Sequence, residues 1–288
     1  MTLSGELKII LGAALFALIP VCVVFGNDMS VFGLLFGRLL IASLLLFIVD
    51  KNRFKLLKIK RSEMFKLFLW SQLMLGAMLS FFFAIKLSSI AVSSALLGTQ
   101  PVIVVILAIF LMKEKLSIRN FIAAVITLVG IFLITGLDEV TNSDYLLGEV
   151  LAICSSILLA LNFILQKKYL GAYSGQELVF YSGLSQLPFL LPFVIMYPGQ
   201  ITLESSISIV VLAVLCTVFA YSLIYNGVKE VAVQKIGVLQ SVEYILPILI
   251  GIFFFHEMPT PRILTGVIII IFACLLVGLK PEPKKKNA

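Results

Sequence analysis

Residues 29–49 read MSVFGLLFGRLLIASLLLFIV. Wound as an α-helix at 1.5 Å per residue, that stretch is roughly 31 Å long, the thickness of a bilayer's hydrocarbon core. Arg38 is its one charge. The run is continuously apolar and about twice the length of a membrane strand, so a β-barrel strand is excluded. The stretch is predicted to be a membrane-spanning helix.

Moving outward from it, similar runs fall at 6–26, 64–86, 90–112, 117–137, 146–166, 176–197, 206–228, 233–255 and 261–279, ten in all. Short connections such as Gly26-Asn27-Asp28 and Tyr197-Pro198-Gly199 join them. Of the 288 residues, 61% are hydrophobic and 13% charged. A soluble domain is about half apolar and about a quarter charged. No aqueous fold of this length hides so much apolar surface, because folding shields only part of it. The expected fold is an all-α integral membrane protein of ten transmembrane helices. The first run, Ile9 to Phe25, is longer than the apolar core of a secretory signal, so an uncleaved first helix is expected.

Positive charge sets the orientation. With the N-terminus cytoplasmic, 19 of the 22 Lys and Arg residues fall on the inside, among them Lys8, the cluster from Lys51 to Lys66, and the tail Lys284 to Lys286. Only Lys86 and Arg262 fall outside, and the outer connections carry Asp138, Glu139 and Asp144. Both termini are therefore expected in the cytoplasm, with the protein multi-pass in the plasma membrane. The net charge of +7 follows from this topology, and no segment is left for nucleic-acid binding.

The two halves repeat. AIKLSSIAV at 84–92 corresponds to YNGVKEVAV at 225–233, each followed by a span with an internal proline, Pro101 or Pro247. A shift of 143 residues brings Glu114 onto Glu257 and Arg119 onto Arg262. Five spans per unit is odd, so the second unit enters the membrane from the other side. The expected architecture is two inverted five-helix repeats, 6–137 and 146–279, followed by a basic cytoplasmic tail, 280–288. Inverted repeats suit alternating access, in which two similar halves expose one central site to either face.

Three stretches carry a family resemblance. The small-residue step Ala84, Ser88, Ala91 precedes a proline-bearing span. Glu114-Lys115-Leu116-Ser117 opens the last span of the unit. Gly33 to Leu40, with Arg38 inside, lies in the second span. Together they resemble the EamA-type domain of the drug/metabolite transporter superfamily, over nearly the whole chain as two tandem units. The resemblance implies a secondary transporter with a central cavity, often an exporter of amino acids or other small metabolites. The second half departs from the motif: Phe255-His256-Glu257-Met258-Pro259 keeps only the glutamate.

Polar groups deep in a bilayer cost a few kcal/mol each, so they mark candidate sites. Arg38 in span two and Glu243 in span nine are the charged ones. Glu243 is a candidate for binding a proton or a cationic group, and Arg38 for a counter-charge or an anchor for a carboxylate. The alternative is a structural pair, or an arginine satisfied by backbone carbonyls. Gln240 shares a helix face with Glu243. Pro247 deprives the Glu243 carbonyl of its donor, and Pro101 does so for Leu97, one turn from Gln100. Both prolines read equally well as plain kinks. Gln186 and Asn162 are further candidates for the cavity, or for interhelical hydrogen bonds. Gly33 and Gly37 read as a packing step. Glu114 and Glu257 read as capping groups at span ends, and Lys86 as a snorkelling side chain.

Other functions are disfavoured. His256 is the only histidine, and HEMPT lacks the second histidine of a zinc protease motif. No phosphate-binding loop is present, which excludes an ATP-driven pump within this chain. The four cysteines lie in apolar runs and read as core residues, not as a disulfide framework or metal site. No cofactor, metal or catalytic residue is expected. The partners expected are a small-molecule substrate and the lipid bilayer. The function expected is secondary active transport of amino-acid-like or drug-like solutes, in the exporting direction and with possible proton coupling. The alternatives are an intramembrane enzyme and a membrane scaffold.

Overall fold

The computed structural model describes residues 4–49, 61–112, 118–135, 143–169, 173–230, 239–240 and 242–278. Glu114, the acidic stretch at Asp138 and Glu139, the start of the ninth run and the basic tail lie outside them. Among the described residues every regular element is a helix, and the one β contact is an isolated bridge between Met29 and Gly199. In lipid no water satisfies a free N–H or C=O, so an apolar run must close its hydrogen bonds within itself.

The helices, numbered here in chain order, are α1 (Gly5–Phe16), α2 (Leu18–Phe25), α3 (Val31–Val49), α4 (Arg61–Leu87), α5 (Ile90–Leu97), α6 (Gln100–Met112) and α7 (Ile118–Thr135). Then follow α8 (Ser143–Tyr169), α9 (Gly175–Met196), α10 (Leu203–Ala213), a π-helical segment Val214–Phe219, α11 (Ala220–Glu230), α12 (Val242–Phe254) and α13 (Pro261–Gly278). Among the described residues six helical stretches are long and apolar enough to cross a membrane, and four more are apolar but shorter.

Several ends are set by side chains. Ser4, Ser89, Ser174 and Thr202 each accept a first-turn amide, and Ser174 with Glu177 forms a capping box. The expected fourth run is two helices, broken at Gly98 and Thr99. Pro101 offers no N–H to the Leu97 carbonyl, which meets the Ser156 hydroxyl instead, at 3.4 Å. By contrast, α9 runs through both Pro188 and Pro192 without interruption.

Matched by their order along the chain, the halves pack on each other in a repeating pattern. α1 lies against α11, and α4 against α8, which are equivalent pairings. α3 packs on α9, α5 on α12 and α7 on α13, each element on its own counterpart. The α7–α13 crossing is tight. A Cβ on Gly130 would stand 3.1 Å from the Gly266 carbonyl oxygen, and one on Gly266 would stand 2.8 Å from the Gly130 oxygen. Close backbone approach of this kind drives helix association where lipid supplies no hydrophobic force. The Gly33 and Gly37 step divides: Gly37 faces Ile209 of α10, whereas Gly33 faces the Met29 side chain at the start of its own helix.

Polar contacts tie the halves at both ends. At one end Glu257 accepts the Ile90 and Ala91 amides at 2.8 and 2.9 Å, while within the first half Lys86 donates to the Asn27 and Met29 carbonyls at 2.9 and 2.7 Å. Lys86 thus holds a loop in addition to reaching the polar edge. At the other end Lys8 pairs with Glu230, and the Tyr173 hydroxyl donates to Glu63. The rim is apolar: Phe65, Phe110, Ile195 and Phe253 are among many large exposed side chains. Cys154 belongs to that surface instead of the core, because lipid solvates the outer faces of these helices as well as protein does. Cys22 and Cys216 are buried free thiols, as small apolar core residues would be.

Candidate functional site

Arg38 sits midway along α3 and is 3% exposed. Its Nε donates to Thr217 Oγ1 at 2.7 Å, and the Thr217 hydroxyl donates in turn to the Leu212 carbonyl at 2.7 Å. Thr217 lies in the π-helical segment. The wider turn leaves room for this relay, and π segments recur at functional sites. Arg38 Nη1 reaches the Met78 sulfur at 3.6 Å, a weak acceptor. Nη2 has no hydrogen bond to a described residue, and no carboxylate among the described residues pairs with the guanidinium.

Arg38 borders a cavity between α3 and α4 of the first half and α9, the π segment and α11 of the second. Trp70, Gln186 and Tyr221 also line it. Its free space of about 20 Å³ is room for a water or so and far too small for a metabolite. The Gln186 amide donates to the Ser71 carbonyl at 2.7 Å, and Ser71 shares a 2.6 Å hydrogen bond with Ser185. The buried Trp70 Nε1 has no hydrogen-bond partner among the described residues.

The other sequence candidates lie elsewhere. The Asn162 amide donates to the Trp70 carbonyl at 2.7 Å, joining α8 to α4 directly behind the cavity wall. Gln100 accepts from the Tyr244 hydroxyl at 2.9 Å, beside a second, apolar cavity around Gly98, Tyr244 and Ile248. Glu243, in the first turn of α12, makes no hydrogen bond or ion pair with Arg38; Tyr221 lies within electrostatic reach of both. Gln240 is partly buried just ahead of α12. The structure therefore unites Arg38 with Gln186, sets Asn162 behind them, and separates Gln100 from the group. Trp70, Thr217 and Tyr221 were missed in the sequence. Thr217 was the findable one, the hydroxyl within the apolar stretch 209–220. Among the described residues no three His, Cys, Asp or Glu side chains stand together as metal ligands.

The EamA-like transporter family model matches residues 3–136 and again 146–279. The chain belongs to the EamA-like transporter family. Curated proteins named as uncharacterized transporters support this, two of them from Archaeoglobus fulgidus. One is 30% identical over 199 residues, covering 68% of this chain and 70% of that protein. The other is 27% identical over 239 residues, covering 81% of each. Protein PecM of Dickeya dadantii is 26% identical over 223 residues, 73% of each chain. A solved crystal structure superposes with TM-score 0.69 at 15% identity, over 94% of this chain and 95% of the other, and so shares the fold. As a member of the EamA-like family the chain is a multi-pass membrane transporter, and the two family matches bracket the halves whose packing repeats.

Proposed function

We propose that the protein is a secondary active transporter of small metabolites, amino-acid-like or drug-like, working by alternating access in the exporting direction. In this reading ten spans cross the plasma membrane as two inverted repeats, 6–137 and 146–279, with both termini and the basic tail 280–288 in the cytoplasm. The Lys86 and Glu257 end is then extracellular, and the Lys8 and Glu230 end cytoplasmic.

One observation carries the reading: a buried guanidinium in a cavity built from both halves, with polar contacts bridging the halves at either end. Those bridges are non-covalent and few, so breaking one set opens the cavity to one side while the other set holds. The cavity's polar groups are a guanidinium, an amide, hydroxyls and an indole N–H. These groups hold a solute and do not react with it, which favours transport over intramembrane catalysis. Glu243 is the residue we assign to proton coupling.

The test is flux. Purified protein in proteoliposomes should show saturable counterflow of at least one member of an amino-acid and metabolite panel. An imposed pH gradient should then drive its accumulation. No counterflow of any tested solute would remove the transport reading, and flux indifferent to the gradient would remove the coupling.

A further inference from the structure

The cavity beside Arg38 is lined by donors in excess of acceptors. Arg38 carries a permanent positive charge, which the Thr217 hydroxyl and a thioether leave uncompensated. Trp70 is 3% exposed and lines the same cavity, and its indole N–H has no partner. A buried donor left without an acceptor is costly, and a buried charge is more so. Gln186 donates its amide nitrogen to the Ser71 carbonyl of the wall, which leaves its oxygen as a neutral acceptor and brings no negative charge to the guanidinium. Leu35, Leu39, Met74 and Val179 give the cavity an apolar wall, beside the Ser182 and Tyr221 side chains.

We propose that this cavity binds the carboxylate of an amphipathic organic anion, with Arg38 as the charge partner, Trp70 as a second donor and the apolar wall against the solute's tail. A guanidinium is shaped for carboxylate oxygens, two N–H groups to two lone-pair sites. A cationic solute at the same place would meet a like charge and be repelled. Glu243 is the nearby carboxylate to be reckoned with. It makes no hydrogen bond to Arg38, and both groups lie within electrostatic reach of Tyr221. Because the cavity is water-sized in this conformation, the anion enters only when the halves part. The inference rests on the transport reading for that movement, but not for the recognition itself.

Trp70 is the chain's single tryptophan, so its emission reports directly on the cavity. The experiment titrates the intact protein in lipid nanodiscs with aliphatic monocarboxylates from butyrate to octanoate. The matching amines and inorganic phosphate are run in parallel. Carboxylates should shift Trp70 emission saturably, while the amines and phosphate should not. Arg38→Gln should weaken carboxylate binding by about tenfold or more. Arg38→Lys, which keeps the charge and loses the fork, should weaken it less and still prefer carboxylate over amine. Silence from every carboxylate, an equal response to the amines, a phosphate response as strong, or unchanged binding in Arg38→Gln would each overturn the proposal. If Arg38→Gln does not fold, the wild-type comparison of carboxylate with amine decides alone. Carboxylate binding without flux in proteoliposomes would overturn transport and leave the site standing. Flux of an amine without carboxylate binding would do the reverse.

Discussion

A guanidinium buried at mid-helix is expensive in this bundle, and its partners show how the cost is met. Arg38 hands its Nε proton to Thr217, whose own proton goes to the Leu212 carbonyl, so one hydroxyl both accepts the charge and serves the widened turn. A hydrogen bond to a charged group contributes about 1.5–3 kcal/mol, which offsets part of the burial and leaves Nη2 unengaged by any described residue. Asn162 works on the same site from behind, holding the Trp70 carbonyl. Glu243 belongs to a different test at this scale. If it carries the coupled proton, Glu243→Gln retains solute counterflow and loses its response to an imposed pH gradient, as read in proteoliposomes. Wild-type gradient dependence in that variant would refute the assignment.

At the scale of elements, two contacts between halves are the most exposed to test. Glu257 stands at the N-terminus of α5, where two first-turn amides and the helix dipole favour a negative charge. It is delivered there by a sharp turn in which His256 adopts φ +54 and the Glu257 amide closes on the Gly251 carbonyl at 3.0 Å. Gly251 leaves room for it, since a Cβ there would stand 2.7 Å from Glu257 Oε2. Glu257→Gln keeps the shape and removes the charge and one acceptor. It should cost about 1–3 kcal/mol, visible as a lower melting temperature in detergent. At the α7–α13 crossing, Gly266→Leu forces a side chain into the Gly130 backbone and the Ile134 side chain. About 1–3 kcal/mol of overpacking is expected, measured by thermal denaturation, while Phe272→Leu on the exposed face of α13 changes little.

At the scale of the whole molecule, the charge asymmetry makes a prediction about placement. Epitopes fused to either terminus should be reached only after the membrane is permeabilised, and a cysteine introduced at Asn27 should react from outside in intact cells. Protection of Asn27 together with exposed termini would invert the orientation. The membrane class, the apolar runs and the two-fold repetition were legible in the sequence alone. Each depends on local composition: twenty apolar residues cannot stay in water, and lipid forces them to be helical. The candidate site was legible only in outline. Arg38 and Gln186 stood out because polar groups in an apolar run are conspicuous, yet nothing in either run said that they share a cavity or that Gln100 does not. The reason is physical. In a soluble helix the polar face marks the outside, but lipid and protein interior are both apolar, so these helices carry little record of which face turns inward. Tertiary structure decided that. It brought Thr217 to Arg38 across 179 positions, and Glu257 to Ala91 across 166. The sequence by itself determined that the chain lives in a membrane as two like halves. Only the packing of those halves decided which donors face one another, because that depends on close approach between helix backbones and not on hydrophobicity.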